Sequence, residues 1–194
     1  MQHSGLIVII SSPGGGGKDS VIRGLLKIFK KSVKLITITS RAKRPREKEG
    51  IDQFFISAED FEKKLNTDYF VEYNKCAGNY YGTPKKLLTE LQNNYEIVFT
   101  NIDVNGKKHF DELGIPHLSI FLLPENTEQL RERAVRRGGM TPEMIEERVN
   151  LGLEEIAKSK TYDYRIVNRE GEIDETILKI AEIIKKHLTN PSLK

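Results

Sequence analysis

One cysteine, no tryptophan and no long apolar run set the first limits on this 194-residue chain. A lone Cys76 cannot close an internal disulfide, which agrees with a reducing compartment. No apolar stretch approaches the ~20 residues that cross a bilayer, and no N-terminal segment resembles a signal peptide. A cytoplasmic protein with no membrane partner is therefore expected. Four histidines, His3, His109, His117 and His187, are scattered without ligand spacing, which argues against a histidine-built metal centre. Excess positive charge is also small. A net charge of +3 is too small to argue for a nucleic-acid partner. The one local basic excess, Arg41 to Lys48, follows a strand-like segment and so reads as a phosphate site.

Glycine, by contrast, is concentrated. Gly14, Gly15, Gly16 and Gly17 run directly into Lys18. Before them stands the β-branched run Leu6 to Ile10; after them Val21, Ile22, Leu25 and Phe29 recur at helical spacing. Strand, glycine loop, lysine and helix together make a phosphate cradle: backbone N–H groups converge on an anion, the helix N-terminus adds its positive end, and the lysine reaches the outer phosphates. The loop departs from G-x-x-x-x-G-K-[ST], because Ser12 replaces the first glycine and Asp19 the terminal hydroxyl residue. Ser20 still offers a hydroxyl two positions after the lysine.

Short strands alternate with helical stretches along the rest of the chain. Strands are expected over Val33 to Thr39, Gln53 to Ile56, Tyr69 to Tyr73, Ile97 to Thr100, His117 to Leu122 and Tyr164 to Val167. Ser57, Thr83-Pro84, Thr127 and Thr141-Pro142 read as helix starts. Such alternation implies an α/β fold with a parallel core sheet covered on both faces, and ligands at the carboxyl ends of its strands. The glycine loop, Thr39 to Arg44 and Asn101 to Asp103 each follow a strand and are expected to gather at one edge.

Three stretches, taken in order, resemble the guanylate kinases. They are Ser12 to Ser20; Thr39-Ser40-Arg41-Ala42-Lys43-Arg44-Pro45-Arg46-Glu47 with Gly50; and Glu72 followed by Gly78-Asn79-Tyr80-Tyr81-Gly82-Thr83. The resemblance runs from about Gly5 to Leu188. It implies a P-loop kinase domain over residues 1–188, with a GMP-binding insertion at about 38–96, a mobile lid at about 127–158 and a frayed tail at 189–194. It implies ATP-dependent conversion of GMP to GDP with Mg²⁺, in a monomer or homodimer. Pro13, the four glycines, Lys18, Asp19, Ser20 and Asn168 would hold ATP. Thr37, Arg41, Arg44, Glu47, Glu72, Tyr81, Thr83 and Asp103 would hold GMP. Lys18, Arg41, Arg137 and Arg148 would act on the transferring group, and Asp19 with Ser20 would face Mg²⁺. Side-chain chemistry agrees: guanidinium forks suit a dianionic phosphate, and a carboxylate matches the N1–H and exocyclic amine of guanine.

Several positions depart from the family pattern. Asn101 replaces the first acid of Asp-x-Asp, Gln53 a phosphate-contacting tyrosine, Arg46 a glycine, and Asn105 a common glutamine. A charge at position 19 lying ~6 Å from a phosphate repels it by roughly 3 kcal/mol at an effective dielectric near 20, unless a metal bridges the two. Two rival readings follow: a catalytically impaired guanylate-kinase-like module that binds phosphopeptides, and a P-loop kinase for another small phosphorylated substrate. Ser12, Asp19 and Asn101 favour the phosphopeptide module. Lys18, Glu72, Arg137 and Arg148 favour the enzyme, because a peptide binder needs neither a base-reading acid nor a lid.

Overall fold

A computed structural model describes residues 4–45, 47–76 and 78–190, apart from the side chain of Arg137. Arg46 and most of the expected frayed tail, residues 191–194, therefore lie outside the described residues. A five-stranded parallel sheet has the strand order β2-β7-β1-β8-β9, and a four-stranded sheet has the order β4-β3-β6-β5. Seven α-helices accompany them among the described residues. The chain forms two compact units, which divide within β1.

The first unit comprises the residues up to Ile7, then Lys31–Thr100 and Asn105–Pro116. Its strands are β2 (Ser32–Lys34), β3 (Ile38–Thr39), β4 (Phe54–Phe55), β5 (Phe70–Cys76), β6 (Asn79–Pro84) and β7 (Ile97–Thr100). Its helices are α2 (Ala58–Leu65), α3 (Lys85–Asn94) and most of α4 (Val104–Glu112). The strand expected over Val33 to Thr39 is broken in two. Its first part pairs in parallel with β7, whereas Ile38 and Thr39 pair with β4 and β6 of the small sheet. The small sheet owes its core to aromatics: Phe61 of α2 stacks on Phe70 with centroids 4.4 Å apart and on Tyr80 at 5.0 Å. A Cβ at Gly82 would stand 2.7 Å from Phe70 and 2.9 Å from Phe61, so these rings pack only against a bare Cα.

The second unit comprises Val8–Lys30, Asn101–Val104 and the chain from His117 onward. Here β1 (Leu6–Ser11), β8 (Leu118–Leu123) and β9 (Tyr164–Val167) pair in parallel, Ile10 opposite Ile120 and Leu122 opposite Ile166. Every residue of β1 is buried, as in a strand covered on both faces. The helices are α1 (Lys18–Ile28), α5 (Thr127–Arg137), α6 (Pro142–Lys158) and α7 (Ile173–Thr189). Ile177 of α7 fills the space beside Gly24 of α1, and Ile180 and Ile184 complete the buried stripe.

Two expected helix caps are corrected. Thr83 lies within β6 and Pro84 takes the N-cap position of α3; the Thr83 hydroxyl is donated to Glu72 instead. Asn126, not Thr127, caps α5: its side-chain oxygen accepts from the Gln129 N–H at 3.0 Å. Ser57 and Thr141 do cap α2 and α6. On α6, Leu153 is exposed where a buried residue is expected, and Gly152 is buried instead.

Candidate active site

The four glycines serve three different needs. Gly15 and Gly17 have φ of 84° and 85°, a region that disfavours any side chain with a Cβ. A Cβ on Gly16 would collide with the side chain of Ser12, and one on Gly14 with the guanidinium of Arg148. The Gly16 N–H closes a turn onto the Pro13 carbonyl at 3.0 Å. Lys18 opens α1, and its ammonium donates to the Ser12 carbonyl at 2.9 Å and to the Ser12 hydroxyl at 3.2 Å. Ser12, the departure from the usual loop, thus holds the lysine head at the loop mouth.

The charges around Lys18 are unusually dense. Burial pushes its ammonium pKa down, against the raising influence of Glu155, Asp19 and Asp103. Glu155 of α6 is pushed up to about 7, first by burial, with Asp103 adding and Lys18 and Arg148 opposing. Glu155 is a residue that sequence reading missed; the signal for it is the seven-residue spacing from Arg148, which places both on one face of α6.

Asp19 and Asn101, two departures from the family pattern, meet directly. The Asn101 amide donates to the Asp19 carboxylate at 2.9 Å. A neutral amide orients a carboxylate without cancelling its charge. Ser20 lies on the next residue of the same first turn, and its hydroxyl accepts from Arg23 at 2.9 Å. Among the described residues no cluster of three or more His, Cys, Asp or Glu could hold a metal unaided. One carboxylate and one hydroxyl beside a phosphate loop nevertheless fit Mg²⁺, which binds through one or two carboxylates together with substrate phosphates and water.

Beside the loop lies a cavity of about 430 Å³ lined by Gly15 to Gly17, Arg133, Asn168 and Ile173, among others. That volume suits a nucleoside. Asn168 follows β9; its amide donates to the Gly16 carbonyl at 3.0 Å and its own carbonyl accepts from Arg133 at 3.2 Å. Burial pushes the Arg133 guanidinium down. Arg133 is a second residue that sequence reading missed, although its four-residue spacing from Arg137 placed it on the same face of α5. The Arg137 side chain lies outside the described residues.

In the first unit, Arg41, Arg44 and Glu47 form one cluster. Arg41 grips the Glu47 carboxylate with two bonds of 2.8 and 3.0 Å, the Arg44 N–H donates to it at 2.8 Å, and the Arg44 guanidinium stands 3.5 Å away. Burial alone would push the Glu47 carboxyl up, but these hydrogen bonds outweigh it and hold it below the ordinary value. Against the lowering effect of burial, Glu47 and after it Tyr81 help to raise the pKa of the Arg41 guanidinium. Glu72 is 5% exposed and accepts from the Thr83 hydroxyl at 2.5 Å, the two residues being register partners across β5 and β6. Thr37 donates to Gln53 at 2.9 Å. Tyr80 is partly buried and packs against the aromatic core, stacked on Phe61.

A glycine loop between a parallel strand and a helix, with a cationic lysine at its mouth and a nucleoside-sized cavity beside it, defines a P-loop nucleotide kinase. The guanylate kinase family model matches residues 4–187. Guanylate kinase of Rickettsia bellii (strain RML369-C) is 37% identical over 183 residues, covering 94% of this chain and 95% of that protein. The Clostridium acetobutylicum guanylate kinase is 34% identical over 184 residues, covering 95% and 87%. The crystal structure of guanylate kinase from Anaplasma phagocytophilum superposes with a TM-score of 0.79 at 30% identity, over 98% of this chain and 89% of that one. Shikimate kinase from Acinetobacter baumannii shares the fold alone, with a TM-score of 0.51 at 14% identity over 95% and 96%. The chain belongs to the guanylate kinase family, and is a nucleoside monophosphate kinase, a phosphotransferase.

Proposed function

We propose that this chain converts Mg·ATP and GMP to ADP and GDP, in the cytoplasm and as part of purine nucleotide metabolism. The observation that carries the acceptor assignment is the buried Glu72–Thr83 pair. A carboxylate only accepts, and guanine presents two adjacent donors, N1–H and the exocyclic amine, where adenine N1 is itself an acceptor. Thr83 and Thr37 would face the other edge of the base. Arg41, Arg44 and Tyr81 would hold the GMP phosphate, with Glu47 keeping the arginine pair in place and Asp103 completing the acceptor side. Residues 38–96 would act as the GMP-binding insertion, and residues 127–158 as the lid over ATP.

On the donor side, Gly14 to Gly17, entered from Pro13, offer backbone N–H groups and the α1 N-terminus to the phosphates. Lys18 supplies the cation at their outer end. Asn168 and Arg133 would border the adenine. Asp19, steadied by Asn101, and Ser20 would hold Mg²⁺, which would neutralise charge on the transferring group. No general base is required: a phosphomonoester has a second pKa of about 6, so the acceptor oxygens of GMP are already nucleophilic at neutral pH. Lys18, Arg137 and Arg148 contribute by positioning and charge stabilisation. Ser12, Asp19 and Asn101 depart from the family pattern, but nothing in the similarity to guanylate kinases favours the impaired phosphopeptide-binding module.

A coupled assay of ADP formation with GMP, with AMP and with no acceptor tests this reading. Turnover that requires GMP is expected. Equal turnover with AMP overturns the base assignment, and no turnover above the acceptor-free rate overturns the kinase reading.

A further inference from the structure

Beneath the phosphate loop of the second unit runs a chain of buried hydroxyls. The Tyr162 hydroxyl donates to Ser11 Oγ at 2.7 Å, and Ser11 donates in turn to the Ile102 carbonyl at 2.6 Å. All three residues are buried, so the two bonds are sheltered from water. The Tyr162 ring is braced edge-on against Phe121, with centroids 5.3 Å apart, which fixes where its hydroxyl points.

Each link borders a part of the candidate site. Ser11 closes β1 and precedes Ser12, whose carbonyl and hydroxyl hold the Lys18 ammonium. Ile102 stands between Asn101, which donates to the Asp19 carboxylate at 2.9 Å, and Asp103, which acts on Lys18. Residues 101–103 lie between β7 and α4 and belong to neither, so side-chain bonds such as that from Ser11 decide where they sit. A serine hydroxyl carries one proton and rotates to suit its partners. Accepting from Tyr162 takes one lone pair of Ser11 Oγ and leaves its proton aimed at Ile102; the two bonds polarise and strengthen each other.

We propose that Tyr162 is a positioning residue for the metal side of the site: through Ser11 it holds the 101–103 segment where Asn101 meets Asp19. The inference rests on the reading above that Asp19 faces Mg²⁺. Tyr162 lies in the core and acts only through Ser11 and Asn101. Such outer supports govern how well a metal-binding carboxylate is aligned.

The test compares Tyr162→Phe, Ser11→Ala, Asn101→Ala and the pairs that include Tyr162→Phe. Mn²⁺ binding to the ADP complex is followed by electron paramagnetic resonance. Beside it are measured kcat, KM for GMP, the Mg²⁺ concentration for half-maximal rate and the melting temperature. Tyr162→Phe keeps the ring and removes only the hydroxyl. It is expected to weaken Mn²⁺ binding, and to raise the half-maximal Mg²⁺ concentration, by about 3- to 10-fold, the scale of one neutral hydrogen bond. KM for GMP should stay unchanged, and kcat should return at saturating Mg²⁺. In the Ser11→Ala and Asn101→Ala backgrounds the same substitution should add nothing, because it acts through both residues. A lower melting temperature with Mn²⁺ binding intact would make Tyr162 a packing residue alone and overturn the proposal. So would equal losses of Mn²⁺ affinity in all three backgrounds. Unchanged Mn²⁺ binding in Asp19→Ser is a separate outcome: it removes the metal role of Asp19 and this support with it, and leaves GMP-dependent turnover to its own assay.

Discussion

Neutralising Glu155 should flatten the pH dependence of stability. Burial pushes its carboxyl from an ordinary 4.5 up to about 7. Between those values the folded chain keeps a proton that the unfolded chain has released. Stability therefore falls as pH rises through this window and levels off above about 7. The full displacement corresponds to about 3 kcal/mol. Part of it is already spent by pH 5, and water reaching the half-buried carboxylate reduces it further, leaving about 2 kcal/mol between pH 5 and pH 8. For a chain of this length each kcal/mol moves the melting temperature by about 2–4 °C. The wild-type protein should thus lose about 4–8 °C more than Glu155→Gln over that range, measured by calorimetry at four pH values without nucleotide. Parallel curves would refute the reasoning. They would show that Lys18 and Arg148 outweigh burial and hold the carboxylate ionised, because a depressed carboxyl changes stability only below about pH 4.5.

The remaining predictions concern the site. Glu72→Gln should sharply reduce GMP use with the fold intact by circular dichroism, because the amide presents a donor where guanine also donates; unchanged GMP kinetics would remove Glu72 from base reading. Arg41→Ala should weaken calorimetric GMP binding by about 10- to 100-fold, the loss of a charge-assisted hydrogen bond of about 1.5–3 kcal/mol, and unchanged binding would place the acceptor phosphate elsewhere. Asp19→Ser should weaken Mn²⁺ binding to the ADP complex, followed by electron paramagnetic resonance, and Asn101→Asp in the same chain should restore part of it. Tighter ATP binding by Asp19→Ser alone would instead show that the aspartate only opposes the phosphates.

Much of this was legible in the sequence because the signals are local. The glycine run, the lysine and the amphipathic stretch after it need no partner to be read, and neither do Ser57 and Thr141 as caps. What escaped depends on tertiary context. Val33 to Thr39 alternates as one strand does, yet the chain leaves one sheet after Lys34 and enters another at Ile38. β6 has Gly78 just before it, Gly82 within it and Pro84 at its end, and its pairing with both β3 and β5 overrides that composition. Thr83 and Thr127 looked like caps by their hydroxyls, but one hydroxyl is used by Glu72 and the other lies one residue past Asn126. Glu155 and Arg133 resemble surface charges on amphipathic helices. Only the packing of α5 and α6 in the second unit turns them toward the phosphate loop and Asn168.

The pairing of Glu72 with Thr83 has a consequence for how base preference can be altered. Both residues face the same side of a hairpin whose strands are joined at Cys76 and Asn79, with a register irregularity between Phe70 and Glu72. Side chains alternate faces along a strand, so a slip of one residue would carry Glu72 to the opposite side. On the proposed role of Glu72, nucleotide choice would be encoded partly as a length: the number of residues between the paired strands and in the bulge. Insertions and deletions there should alter selectivity as surely as replacing the glutamate itself.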